Sequence, residues 1–160
     1  MRRILFVCTG NICRSPTAEG VLRTLAAREG LSSEVEVDSA GTHDYHVGEP
    51  PDRRTVKAAT RRGYDLSKLR ARQVVAADFE HFDWILAMDQ GHLKHLQSMA
   101  SSFSRHKLAL FLDCAEGTRG QDVPDPYYGG AEGFETVLDL VEQGAFGLLR
   151  TLRAGVTPPG

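Results

Sequence analysis

The residues of this chain whose types and spacing could do chemistry lie close together in the stretch CTGNICRS, residues 8–15, directly after the apolar run ILFV at residues 4–7. A short apolar run that ends at a glycine-bearing turn and is followed by Ser15 and Pro16 indicates a strand, a loop and a helix. Ser15 suits the N-cap, Pro16 suits the first helical position, and Glu19 would lie near the positive end of the helix dipole. The sequence therefore predicts a loop that leads into a helix N-terminus.

This loop has the composition of an anion-binding site with a sulfur nucleophile. The N–H groups at a helix N-terminus are unpaired and favour a negative ligand, and Gly10 and Asn11 tolerate the positive φ that directs successive N–H groups inward. Arg14 follows Cys8 with five residues between them, and its planar fork of donors suits two phosphoryl oxygens. A helix N-terminus and a nearby arginine favour the thiolate form of a cysteine. We therefore expect Cys8 to attack a tetrahedral phosphoryl group and Ser15 to donate to its thiolate.

The composition is that of an ordinary globular protein and limits the classes of partner. At 160 residues, with 41% hydrophobic and 25% charged residues, the chain fits one domain over residues 1–160. A formal net charge of -2 gives no reason to propose nucleic acid or a membrane as partner. The three cysteines fit no disulfide framework, so we expect a cytoplasmic location. His92 and His95 share a helix face without a third ligand at a suitable spacing, so no metal site is expected.

The alternation of strand and helix patterns predicts a parallel, doubly wound α/β sheet. We expect strands at residues 4–7, 34–39, 84–88 and 108–112, and helices at residues 17–29, 53–63, 76–82, 91–99 and 133–154. Residues 34–39 alternate acidic and apolar side chains, which is typical of a half-exposed edge strand. Ligands of such sheets bind beyond the carboxyl ends of the strands. Cys8 and the long segment 113–130 should therefore lie at the same edge.

Segment 113–130 contains Asp125, a candidate acid that lies between two prolines. Proline limits the backbone freedom of itself and of the residue before it, so this carboxyl group is held on a stiff turn. A positioned acid near a phosphate ester can protonate the leaving oxygen. By itself the segment favours a turn before the last helix, but together with the Cys8 stretch it favours the catalytic role. Asp38 and Asp89, which end strands nearby, are interpreted as supporting residues.

The CTGNICRSP stretch at residues 8–16 and the DPYY stretch at residues 125–128 resemble the low-molecular-weight protein tyrosine phosphatases. The likeness continues at residues 37–42, 48–52, 70–73 and 85–89, in the order of the family. It implies a single-domain, four-stranded parallel sheet flanked by helices on both faces, no metal or other cofactor, and a phosphocysteine intermediate. It also implies phosphotyrosine-containing proteins as partners, with a cognate tyrosine kinase among the candidates, and we expect a monomer.

Carried over position by position, the resemblance implies a role for each site residue. Cys8 would be the nucleophile, and Asp125 the general acid that later activates water. Arg14 and the loop N–H groups would bind the phosphoryl oxygens, and Asn11 would hold the shape of the loop. The predicted substrate- and phosphate-binding residues are Thr9, Gly10, Asn11, Ile12, Cys13, Ser15, Tyr45, Tyr127 and Tyr128.

Three tyrosines and the second cysteine of the loop allow more than one interpretation. Tyr127 and Tyr128 resemble a pair that lines the cleft and that is itself phosphorylated in some members of the family. Tyr45 is either an aromatic wall for the substrate ring or a partly buried loop residue. A deep site with aromatic walls would favour phosphotyrosine, because the shorter phosphoserine cannot reach Cys8. Cys13 either forms a reversible disulfide with the nucleophile, as the resemblance implies, or packs as a small apolar residue.

Three other functions stay open beside this one. Arsenate reductases share the loop and the fold, but the thioredoxin-coupled kind needs two further cysteines after the third strand, where residues 83–104 contain none. Protein arginine phosphatases typically carry threonine in place of Ile12 and lack the tyrosine pair. A non-catalytic phosphate-binding module would have no use for Cys8 or Asp125.

Overall fold

A parallel sheet forms the centre of the protein in the computed structural model, which describes residues 1–155. Its strands are β1 (Arg2–Cys8), β2 (Val35–Gly41), β3 (Trp84–Ala87) and β4 (Leu108–Leu110). The strand order is β2-β1-β3-β4, and each neighbouring pair is parallel. The helices are α1 (Arg14–Arg28), α2 (Arg53–Arg61), α3 (Asp78–His81), α4 (Gln90–Met99) and α5 (Ala131–Ala154). The predicted four-stranded α/β fold is confirmed.

Side chains of β1 point alternately into two core layers, one on each face of the sheet. Ile4 and Phe6 belong to the layer that contains the apolar faces of α1 and α5. Leu5 and Val7 belong to the layer that contains apolar residues of α3 and α4. All four side chains are fully buried, as expected for an inner strand of a parallel sheet. Helices therefore cover both faces, and β1 is fixed from both sides.

The register of the strands brings their carboxyl ends to one edge. Cys8 pairs with Gly41, Val7 pairs with Ala87, and Ala87 pairs with Leu110. The segments that follow the strands therefore open on the same side of the sheet, where ligands bind in open α/β folds.

β4 is shorter than the sequence predicted. It ends at Leu110, and Phe111–Cys114 form a 3₁₀ turn instead of continuing the strand. Phe111 turns inward and packs edge-to-face on Phe6, with ring centroids 4.9 Å apart. Within residues 1–155, no helix is long and apolar enough to cross a membrane.

α1 begins earlier than the sequence predicted, and its capping differs. The helix starts at Arg14, with Cys13 at the N-cap position and no side-chain cap hydrogen bond. Ser15, the expected N-cap, lies inside the first turn and is fully buried. Its hydroxyl does not cap the helix because it forms hydrogen bonds with the side chains of Cys8 and Asn11. The serine belongs to the site and not to the helix end.

Candidate active site

A cleft with a cavity volume of about 230 Å³ opens at the carboxyl edge of the sheet. Its lining residues are Cys8, Thr9, Gly10, Ile12, Cys13, Arg14, Tyr45, His46, Asp125, Tyr127 and Tyr128. The structure thus brings together the three predicted catalytic residues, Cys8, Arg14 and Asp125. The two remaining predicted residues, Asn11 and Ser15, are buried beside the cleft.

Three carbonyl groups of residues 8–14, here termed the Cys8 loop, accept hydrogen bonds from other segments. These bonds run from Thr42 N to Cys8 O at 2.8 Å, from His43 N to Thr9 O at 3.1 Å and from Asp52 N to Ile12 O at 2.9 Å. The backbone N–H groups of residues 9–13, by contrast, donate to no other backbone carbonyl in the described part of the chain. A loop with its carbonyls bonded outward and its N–H groups free is suited to an anion.

Asn11 holds the Cys8 loop from inside. It is the one non-glycine residue with a positive φ among residues 1–155, at 59°, so this part of the sequence prediction is confirmed. Its Nδ2 donates to Ser15 Oγ at 2.8 Å and to Ser39 Oγ at 2.9 Å, and its Oδ1 accepts from Arg72 N at 3.0 Å. These bonds hold a left-handed backbone conformation that residues other than glycine rarely adopt.

Two glycines lie where other segments approach the loop closely. Gly10 does not have the positive φ that the sequence predicted. A Cβ there would instead lie 2.9 Å from Cδ2 of His46. A Cβ on Gly41 would lie 2.5 Å from Thr9 O. The glycines therefore allow the segment after β2 to pack directly on the Cys8 loop.

Cys8 lies at the base of the cleft and is 3% exposed. Its Sγ is 2.9 Å from Ser15 Oγ. Because Ser15 Oγ accepts from Asn11 Nδ2 at 2.8 Å, its own proton is left for the sulfur. The competing acceptor, the carbonyl of Ala40, is farther away at 3.4 Å. This arrangement suits the donation of a hydrogen bond to a thiolate.

Arg14 is buried, at 4% exposed, and its guanidinium is fixed on several sides. One terminal nitrogen donates to Asp89 Oδ2 at 2.9 Å and to Val123 O at 3.2 Å. The other donates to Thr9 Oγ1 at 3.5 Å and lies 3.8 Å from Asp125 Oδ2. Asp89, which also caps the N-terminus of α4, has the supporting role that the sequence predicted. The planar donor fork is therefore oriented by the protein itself.

Asp125 lies at the mouth of the cleft, in residues 123–129, here termed the Asp125 segment. Its side chain is 48% exposed. Oδ1 accepts from Tyr127 N at 3.0 Å, which forms a local turn of the kind that aspartate favours. The segment is anchored just before the acid, where Val123 N donates to Met88 O at 2.8 Å. The carboxylate therefore faces both solvent and the cleft.

Aromatic rings form the rim. Tyr45 is 66% exposed and stacks on His43 with centroids 5.0 Å apart, so the partly buried alternative for this tyrosine is wrong. Tyr127 is half-buried, and Tyr128, 91% exposed, packs edge-to-face on it at 5.0 Å. His46 also lines the cleft, although the sequence did not assign it a role in the site. Its closeness to Gly10 is a tertiary contact without a local sequence signal.

The other two cysteines are neutral thiols. Burial raises the pKa of Cys13 to about 12 and that of Cys114 to about 12. Cys13 lines the cleft, whereas Cys114 belongs to the core. Within residues 1–155, no group of three or more His, Cys, Asp or Glu side chains is arranged to hold a metal ion.

Arg72 supports the Cys8 loop from outside, and the sequence analysis did not assign it to the site. Its guanidinium bridges Asp38 Oδ2 and Asp78 Oδ2, each at 3.0 Å. Hydrogen bonds with these two carboxylates outweigh burial and raise the pKa of Arg72. The same residue donates its backbone N–H to Asn11. No local pattern could have revealed this support, because Asp38 and Asn11 are distant from Arg72 in sequence.

Comparison with known proteins identifies the family. A family model described as low molecular weight phosphotyrosine protein phosphatase matches residues 3–157. The chain belongs to this family. A low-molecular-weight protein-tyrosine-phosphatase of Streptomyces coelicolor is 44% identical over 157 residues, which cover 96% of this chain and 95% of that protein. Low-molecular-weight protein-tyrosine-phosphatase YfkJ of Bacillus subtilis is 42% identical over 153 residues, which cover 96% and 97%.

Solved structures agree with the family assignment. A protein tyrosine phosphatase from Entamoeba histolytica, crystallised with Hepes in its active site, matches with a TM-score of 0.93 at 38% identity, over 97% of this chain and 99% of that one. The family predicted from the two motifs is confirmed. Membership of the low-molecular-weight phosphatase family identifies the chain as a hydrolase.

Proposed function

We propose that the chain is one phosphatase domain over residues 1–160 that hydrolyses phosphotyrosine in proteins through a phosphocysteine on Cys8. The observation that carries the proposal is the convergence of a buried cysteine, a fixed arginine and an exposed carboxyl group in one cleft with aromatic walls. The N–H groups of the Cys8 loop complete an oxyanion site. Residues 156–160 of this domain lie outside the described residues.

In the first step the Cys8 thiolate attacks phosphorus, so that an S–P bond forms while the P–O bond to the tyrosine ring breaks. Arg14 and the loop N–H groups bind the three equatorial oxygens, where charge accumulates in the transition state. Arg14 is already oriented by Asp89 at 2.9 Å, which avoids reorganisation during the reaction. Asp125 gives its proton to the leaving phenolic oxygen.

In the second step water hydrolyses the thiophosphate. Asp125 has become a carboxylate and accepts a proton from the attacking water, so the same residue is acid and then base. The new P–O bond forms as the S–P bond breaks, and inorganic phosphate leaves. Ser15 Oγ, 2.9 Å from the Cys8 sulfur, donates to the departing thiolate and makes it a better leaving group.

The shape of the cleft supports an aryl phosphate as substrate. Cys8 lies at the base, 3% exposed, whereas Tyr45 stands at the rim, 66% exposed. A phosphotyrosine ring spans this depth between aromatic walls, and the shorter phosphoserine does not. A human relative, named low molecular weight phosphotyrosine protein phosphatase, is 40% identical over 137 residues, and its name is consistent with this substrate class. The partners would be phosphotyrosine-containing proteins in the cytoplasm, a cognate tyrosine kinase among them.

The test is phosphate release from phosphotyrosine, phosphoserine and phosphoarginine peptides, with a chelator present. Wild type should hydrolyse phosphotyrosine, Cys8→Ser should abolish turnover, and Asp125→Ala should lower it by roughly 10²–10⁴-fold. Cys114→Ala, a buried cysteine outside the cleft, is the matched control and should keep activity. Turnover by Cys8→Ser would refute the covalent mechanism.

Two outcomes would identify the alternatives. A clear preference for phosphoarginine would keep the nucleophile and replace the substrate class. No turnover of any peptide, combined with thiol-dependent reduction of arsenate, would favour an arsenate reductase on the same fold.

A further inference from the structure

His92 is a buried titratable residue that neither catalytic step uses. It lies in the first turn of α4, is 5% exposed, and is joined to Thr9 of the Cys8 loop through its ring. We propose that His92 is a positioning residue of the phosphate-binding site, whose neutral ring accepts a hydrogen bond from the Thr9 hydroxyl and thereby holds Thr9 against Arg14. This role rests on the proposed function of the site.

The surroundings of the ring decide which nitrogen carries the proton. Nε2 lies 2.8 Å from Thr9 Oγ1, and Nδ1 lies 3.1 Å from Asp89 Oδ1. A carboxylate oxygen beside Nδ1 favours a proton there, because a lone pair would face a negative charge. Nδ1 has no aligned hydrogen-bond partner among the described residues, so charge alone sets this preference. In a neutral ring Nε2 is then the acceptor.

The ring is neutral because its environment disfavours the cation. Burial first, and then the positive charge of Arg14, lower the pKa of His92 to about 4. Asp89 and Asp125 act in the opposite direction, and His43, from the segment after β2, adds to the lowering. Across the mildly acid and neutral range, Nε2 therefore remains an acceptor.

The bonds form a directed chain from the phosphate-binding arginine to α4. Arg14 donates to Thr9 Oγ1 at 3.5 Å, and the Thr9 hydroxyl donates a hydrogen bond to His92 Nε2 at 2.8 Å. With both roles of the hydroxyl filled, Thr9 is locked in one rotamer and supports the guanidinium beside Asp89. A protonated ring would break the chain, because Nε2–H and Arg14 would both donate to the same oxygen. It would also add a second cation beside Arg14.

Matched variants test the hydrogen bond between Thr9 and His92 from both ends. His92→Leu and Thr9→Val each remove one side of the bond, and each should lower kcat/KM for p-nitrophenyl phosphate by about 5- to 20-fold, as expected for one lost buried hydrogen bond. The double variant should be no worse than the poorer single variant, since both changes remove the same bond. His92→Gln restores an acceptor oxygen at similar reach and should recover most of the loss. The inhibition constant of inorganic phosphate should rise in parallel.

Nitrogen NMR of the imidazole provides a readout that a merely structural role would not require. Wild type at neutral pH should show His92 as the Nδ1–H tautomer, with protonation only near pH 4. An Nε2–H tautomer, or losses that add in the double variant, would overturn the proposal. If His92→Leu fails to fold, Thr9→Val and the NMR signal still decide. If wild type hydrolyses no aryl phosphate, the proposed function fails, while tautomer and phosphate binding continue to test His92.

Discussion

The two sides of the cleft are held in different ways. In and beside the Cys8 loop, Asn11, Arg14 and Ser15 are at most 4% exposed, and each makes several side-chain hydrogen bonds. On the other side, Asp125 is 48% exposed, and its carboxylate accepts one intrachain hydrogen bond, at 3.0 Å.

The difference matches what each side must do in the proposed reaction. Donors that stabilise an oxyanion work best when they are fixed in advance, because they then need no reorganisation. The acid must serve two different oxygens in succession, that of the leaving tyrosine and that of water, and therefore needs access to solvent. Substitutions on the two sides of the cleft should consequently affect stability and activity differently. A change in the loop should reduce both, and a change of Asp125 should reduce activity alone.

Asp125→Asn should give the largest effect on activity and the clearest difference between activity and stability. We expect kcat/KM for phenyl phosphate to fall by roughly 10²–10⁴-fold, and to fall less for p-nitrophenyl phosphate, whose leaving group needs less protonation. The free energy of unfolding should change by less than about 0.5 kcal/mol, because the side chain is exposed. Steady-state kinetics and urea unfolding measure the two effects. An equal loss on both substrates would contradict the role as general acid.

Asn11→Ala should reduce both stability and activity. The change removes a hydrogen-bond partner from Ser15, from Ser39 and from the backbone N–H of Arg72, and it places alanine at a φ of 59°. We expect about 3 kcal/mol loss in the free energy of unfolding and at least a tenfold loss of kcat/KM. Asn11→Gly is the matched control, since it loses the same bonds but tolerates the backbone, and should be about 1 kcal/mol more stable than the alanine variant. Equal stabilities would exclude a backbone contribution.

The buried His92 makes the loop side sensitive to acid. Its pKa in the folded protein is about 4, whereas the unfolded value is about 6.5. Between these values the unfolded chain binds the proton and the folded chain does not, so acidification from pH 6.5 to 4 destabilises the fold by on the order of 2 kcal/mol. Above pH 6.5 this contribution is fully present. Urea unfolding of wild type and His92→Gln across this range should show a steeper slope for wild type, and parallel curves would contradict the assignment.

The smallest expected effect is a difference in alkylation rate among the three cysteines. With the pKa of Cys13 and that of Cys114 at about 12, both thiols stay protonated at pH 7, and only the thiolate reacts with iodoacetamide. We expect Cys8 to be alkylated at least about ten times faster than the other two, and inorganic phosphate to protect it. Peptide mass spectrometry over time measures the three rates. Equal labelling of Cys8 and Cys13 would contradict the distinction.

Much of the fold and of the candidate site could be predicted from local patterns. Residues 4–15 indicate a strand, a loop and a helix start by themselves, and the acid between two prolines is a local signal as well. The predicted start of α1 was wrong. Serine is a common N-cap residue, but the Ser15 hydroxyl forms hydrogen bonds with the side chains of Cys8 and Asn11 instead. Local propensity does not include such tertiary partners.

The support around the loop could not be predicted for the same reason. Arg72 bonds to Asp38, and His92 bonds to Thr9, across 34 and 83 positions of the chain. Each partner is an ordinary polar residue in its own segment. The parallel register brings these segments to one edge, and their significance depends on that register. Charge and burial then determine their protonation, which a sequence does not contain.

The order in which the loop and its partners are synthesised has a consequence for the nascent protein. The Cys8 loop leaves the ribosome before its partners from later segments, among them Ser39, Arg72, Asp89 and finally Val123. An N-terminal fragment that stops short of Val123 contains the whole CTGNICRS motif but lacks the Val123 carbonyl, one of the groups that orient Arg14. Biosynthesis therefore completes the contacts of Arg14 only after all four strands of the sheet have been translated.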